Sequence, residues 1–273
     1  HALSEAGHTV VVPLFEDIRG MQVHPGEVGD IAALIQQIAA DRELCPDGRL
    51  ALFAPSFSGT MAILAAARPG AAPLVNAVCA IGPYAEQESV LSFFFEGEDV
   101  DEYGKWVVFY NFGPYAYGRH EKLQDTIMTA IQDSGWRREE QELELPAKVA
   151  ALPPKEREIF ENVRTDRDYR MRLFHEKLLT NADCQDLAAK MGLTLENLRG
   201  LECPVVLVHG RHDDVISPDE SRLIYQRLGQ LGKKRALSIT SLISHGDTGI
   251  GPSIVVEGWH LLRSFSYFFK HIR

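Results

Sequence analysis

Between Leu50 and Ala62 an apolar strand pattern, Leu50-Ala51-Leu52-Phe53-Ala54, runs through Pro55-Ser56-Phe57-Ser58-Gly59 into an alanine-rich helical stretch. A strand that becomes a helix within so few small residues is one turn of an alternating strand and helix architecture. Such alternation implies a parallel sheet covered on both faces. The corner also pushes Ser56 clear of its own backbone, where a base and a substrate carbonyl can both reach it.

The same alternation is legible on either side. Ala2 to Ala6 ends a helix, with Gly7 after its C-terminus, and the β-branched run Thr9 to Phe15 predicts a strand. From Asp30, apolar residues Ile31, Leu34, Ile35 and Ile38 recur with the spacing of an amphipathic helix. Pro46-Asp47-Gly48 turns into a strand over Arg49 to Phe53. A helix over Gly59 to Ala67 follows, stopped by Arg68-Pro69-Gly70, and then a buried strand over Val75 to Ile81. Val205 to His209 is a further buried strand. Ser217-Pro218-Asp219-Glu220 is a capping box that starts a helix, and Ala236 to Ile243 is a last strand leading to Ser244-His245-Gly246-Asp247. The closing segment Ile254 to Lys270 is a helix whose apolar face is expected to pack on the sheet rather than on a membrane.

The alternation stops near residue 85 and resumes at Pro204. The predicted organisation is therefore a core formed by residues 1–84 and 204–273, with residues 85–203 inserted as a mostly helical cap that carries nearly all of the net negative charge. Its first part is rich in rings, among them Phe93, Phe94, Phe95, Trp106, Phe109 and Phe112, expected to pack the cap onto the core. A net charge of -10 without a basic stripe excludes a nucleic-acid backbone as partner. Cysteines 45, 79, 184 and 203 have neither Cys-x-x-Cys spacing nor a companion His pattern, so neither a disulfide framework nor a zinc site is indicated and a reducing, cytoplasmic address is favoured. No apolar run is long enough to span a membrane.

Ser56 and Ser58 have an ordinary explanation as helix caps. What favours catalysis is the arrival of Asp213 and His245, each just after a predicted strand, in the order Ser, Asp, His. A serine hydroxyl needs an imidazole to take its proton and a carboxylate to orient that imidazole. Asp214 competes with Asp213, which lies third after Gly210 in the strand-end loop. His209, His212 and His260 compete with His245. His209 sits within a strand and His260 within a helix, as packing residues do, while His212 shares the acid's loop.

At this point the chain resembles the α/β-hydrolase family. Ala54-Pro55-Ser56-Phe57-Ser58-Gly59 is similar to the Gly-x-Ser-x-Gly elbow, and His209-Gly210-Arg211-His212-Asp213-Asp214-Val215-Ile216-Ser217-Pro218 is similar to the acid loop. The resemblance covers all but the cap. It implies Ser56 as nucleophile, Asp213 as acid, His245 as base and the Phe57 N–H as one oxyanion donor, with no cofactor or metal. Residues 2 to 15 would be the end of the first helix and the fourth strand, and the later strands the fifth to eighth, with the cap after the sixth. Two departures stand out: Ala54 and Ser58 replace the flanking glycines, and Pro55 precedes the nucleophile. The loop that carries the second oxyanion donor is expected upstream of residue 1, so the sequence is expected to be N-terminally incomplete.

The implied activity is hydrolysis of a small-molecule carboxylic ester or related acyl bond through an acyl-enzyme, with thioesterase and peptidase chemistry close by. The alternative is a non-catalytic protein of the same fold that uses its cap for binding a ligand or partner.

Overall fold

The computed structural model describes residues 2–135, 144–243 and 254–272. The four strands, β1 (Leu50–Pro55), β2 (Val75–Ile81), β3 (Val205–Gly210) and β4 (Arg235–Thr240), form one sheet in that order with every pair parallel. The expected α/β class with a parallel sheet is therefore present. Pro55 lies opposite Ile81, Ile81 opposite Val208, and Gly210 opposite Thr240, so the carboxyl ends of the strands lie together.

Burial follows the alternation of a pleated strand. Ala77, Cys79, Val206 and Val208 share one face and are covered by Phe268, with Leu261 and Phe265 beside it, all from α14 (Ile254–His271). That is the sheet packing expected of the closing helix. Among the described residues no helix is long and apolar enough to cross a membrane. The other face carries α4 (Phe57–Ala66) on β1 and β2, and α13 (Pro218–Gln230) on β3 and β4. α4 is buried along nearly its whole length because it is also overlaid by α3 (Pro25–Ala40). An alanine-rich helix suits that place, since small side chains let three layers approach closely.

Two short helices, α1 (Ala2–Glu5) and α2 (Glu16–Arg19), precede α3. The strand predicted over Thr9 to Phe15 is not formed: the segment has no regular secondary structure, and Val10, Val11, Val12 and Leu14 are exposed. A β-branched run favours a strand only when a neighbour and a packed face are supplied. α3 begins five residues earlier than its apolar periodicity suggests. His24 caps it by accepting the Gly26 N–H, and Pro25 occupies the first turn, where a missing N–H is harmless.

The described residues group into two compact units, one drawn from His1–Arg19, His24–Glu86 and Lys190–Arg273, the other from Gly20–Val23 and Gln87–Ala189. Among the described residues of the second, the regular elements are helices: α5 (Gln87–Glu96), α6 (Glu102–Tyr117), α7 (Glu121–Gly135), α8 (Leu145–Ala150), α9 (Pro154–Thr165), α10 (Arg167–Arg172) and most of α11 (Ala182–Met191). α12 (Leu195–Leu198) returns to the first unit. Several of the insertion's rings pack against one another within the helical unit. Trp106 stacks on Phe160 with centroids 4.5 Å apart, and Phe95 lies 4.4 Å from Phe109 and 5.7 Å from Phe174. Burying each such ring contributes about 1.5–3 kcal/mol, which lets the segment hold a core of its own.

Candidate active site

Ser56 stands between β1 and α4 with φ 53° and ψ -142°. Only one other described non-glycine residue, Met21, has positive φ. An L-residue in that region carries strain of about 1–3 kcal/mol, held here by the surrounding structure. The Ser56 N–H donates to Ile81 C=O at 2.6 Å, fastening the corner to the end of β2. Its hydroxyl makes no helix-capping bond, so the ordinary explanation as a cap does not describe this side chain. Ser58, by contrast, returns its hydroxyl to Pro55 C=O.

Both departures from the elbow pattern are accommodated. Among the described strands β1 pairs only with β2, and a proline at the end of an edge strand is tolerated. The close passage of helix over strand is met by Gly59: a Cβ there would lie 3.0 Å from Ala80 Cβ and 3.1 Å from Ala54 C=O. Ala54 and Ser58 therefore need only be small. Phe57 opens α4, which puts its N–H among the leading helix donors that have no acceptor within the helix.

Asp213 lies in the loop after β3 with its side chain 5% exposed, whereas Asp214 and His212 face solvent. Its Oδ1 accepts N–H bonds from Val215 at 3.0 Å and Ile216 at 2.9 Å. Its Oδ2 lies 3.6 Å from His209 Nε2. Gly82, at φ 63°, follows β2, and a Cβ on it would sit 3.5 Å from that Oδ2. The Gly82 N–H also donates to Val208 C=O at 2.8 Å. Ser56, the Ile81-Gly82 step and Asp213 thus form a continuous row along the carboxyl ends of β1, β2 and β3, the place where open α/β sheets carry their chemistry.

Among the described residues, four parallel strands, a strained serine after the first, a buried acid after the third and a closing helix on the opposite face give the order expected from the resemblance to α/β-hydrolases. His245 lies outside the described residues. The loop leading to it starts at β4, and Gly210 passes so close that a Cβ there would meet Ile243 C=O at 2.5 Å.

What several residues around this corner contact could not be read from the sequence. His209 is fully buried, with Nδ1 2.7 Å from Ser221 Oγ and Nε2 donating to Ile216 C=O at 2.8 Å, so it braces the acid loop from within. His260, expected to pack, is exposed on α14. Glu257, also on α14, accepts from the Ser241 N–H at 2.5 Å, from the Ser241 hydroxyl at 2.7 Å and from Arg211 at 3.1 Å. The Ser241 donors, with Arg211 after them, hold its carboxyl down at about 2. Through these contacts one carboxylate fastens the acid loop and the start of the β4 loop. Glu220, read as half of a capping box, also reaches back along the chain, its Oε2 accepting from Ala85 at 2.8 Å and Glu86 at 3.0 Å. Thiol chemistry has no candidate to match Ser56. Burial pushes Cys79 and Cys203 up to about 12 and Cys184 up to about 11, and all four cysteines are buried and unpaired.

No family model matches the sequence, and no curated protein matches it. Solved structures do match. An acylaminoacyl peptidase of Pyrococcus horikoshii is 14% identical over 89% of this chain and 26% of its own, with a TM-score of 0.44. Dipeptidyl peptidase 4 of Porphyromonas gingivalis is 14% identical over 92% of this chain and 23% of its own, at 0.47. A meta-cleavage product hydrolase from Pseudomonas fluorescens IP01 is 15% identical over 89% and 72%, at 0.40. The chain spans about a quarter of the length of the first two.

Proposed function

We propose that the protein is a serine hydrolase that cleaves a small-molecule ester or related acyl bond through an acyl-enzyme on Ser56. The observation that carries this reading is the backbone of Ser56, strained at a strand-to-helix corner where its hydroxyl does no capping. In the proposed reaction His245 removes the Ser56 proton as Oγ attacks the acyl carbon. Asp213 holds the imidazole and balances its positive charge, and the Phe57 N–H stabilises the oxyanion. The imidazolium then protonates the leaving group, and water activated by His245 releases the acid. The helical segment is proposed as a cap that selects the acyl group. Four unpaired cysteines favour a reducing compartment.

A fluorophosphonate probe tests the assignment. It is expected to label Ser56 in the folded protein, to leave Ser56→Ala unlabelled and to react far more slowly with His245→Ala. A folded protein that resists the probe would instead be a non-catalytic binding protein.

A further inference from the structure

α2 and the start of α3 bring together three side chains that the proposed reaction does not use. His24 Nε2 lies 2.9 Å from Asp17 Oδ2 and 3.6 Å from Glu27 Oε1. One donor atom from each residue can be chosen so that all three lie within 4.8 Å of one another. Tetrahedral bonds of about 2.0–2.2 Å separate adjacent donor atoms by about 3.3–3.6 Å, so the two histidine distances bracket a common ion. The floor of the cluster carries the second observation. The Glu27 side chain is 3% exposed, and its Oε2 is buried with no hydrogen-bond partner. A buried carboxylate oxygen without a donor is costly. Asp17 and His24 are 48% and 40% exposed, which leaves the cluster open to entry from solvent.

We propose that Asp17, His24 and Glu27 bind one divalent transition-metal cation of the Zn2+ type, tying α2 to the first turn of α3. One imidazole with two carboxylates suits such an ion better than Ca2+, which takes six to eight oxygens at longer range. Three protein ligands leave a fourth position for water. The Gly26 N–H now donates to His24 Nδ1 at 3.1 Å, which puts the neutral ring's proton on Nε2, facing Asp17. The cation takes the place of that proton, the proton moves to Nδ1, and the Gly26 contact is given up. Gly26 permits this ring to lie against the helix start, since a Cβ there would meet the imidazole at 2.8 Å.

The test is titration of the chelator-treated full chain with Zn2+ by calorimetry and with Co2+ by absorption. Expected are one equivalent bound, a Co2+ spectrum lacking thiolate charge transfer, and affinity lowered about tenfold or more in His24→Ala and Glu27→Gln. Hydrogen exchange of the unmodified protein supplies a readout independent of variant folding: Zn2+ should alter exchange over residues 16–28. The proposal is overturned by the lack of one saturable equivalent, by a thiolate band, by undiminished binding in folded variants, or by unchanged exchange over that segment.

Discussion

Ser56→Gly and Ser56→Ala both remove the hydroxyl, and they differ only in how they bear the corner. Alanine retains the Cβ at φ 53°, so it keeps strain of about 1–3 kcal/mol. Glycine occupies that region freely but has a more mobile unfolded chain, which costs about 0.5–1 kcal/mol. The remaining bond of the corner, Ser56 N–H to Ile81 C=O, is common to both. Glycine is therefore expected to be the more stable by about 1 kcal/mol, about 2–4 °C in Tm for a chain of this size. Denaturant unfolding of the two variants measures the difference, and fluorophosphonate labelling checks that both are inert. Equal stability, or a more stable alanine variant, would refute the claim that the Ser56 backbone is strained.

Three further outcomes follow from the same geometry. Gly210→Ala puts a Cβ 2.5 Å from a backbone carbonyl, so it should destabilise by about 1–3 kcal/mol in denaturant unfolding and slow labelling of Ser56. Asp213→Asn should reduce turnover of an activated ester by about 10³–10⁴-fold, while exposed Asp214→Asn leaves it nearly unchanged; equal effects would remove Asp213 from its role. Glu257 has its carboxyl lowered from 4.5 to about 2, so its charged form is favoured by folding. Its contribution is complete above about pH 5 and is lost as pH falls through 4 toward 2. The stability gap between the protein and Glu257→Gln should shrink across that window, as followed by denaturant midpoints at each pH.

What was legible in the sequence is what adjacent residues dictate. The strand over Val75 to Ile81 is observed with the same ends, and the helices after Ser56 and Ser217 begin within two residues of expectation. In each case apolar periodicity and a turn or cap agree within one short stretch. The Thr9 to Phe15 strand failed because its local composition was right but pairing is a property of a neighbour. The choice of Asp213 over Asp214 rested on loop position alone. The structure separates the two by burial, Asp213 being turned inward to two backbone N–H groups.

What was not legible is the set of contacts that hold the candidate site in shape. Gly59 is held small by Ala80 and Pro83 against it, and the Glu220 carboxylate accepts from Ala85, 135 residues away. Glu257 joins the loops after β3 and β4 from a helix on the far face of the sheet, without sharing a motif with either. A site made at the ends of parallel strands draws each part from a different crossover. Its motifs can be read singly, but the supports that align them are pairings across the sheet. A substitution at Glu257 should therefore disturb Ser56 chemistry while leaving every recognisable motif intact.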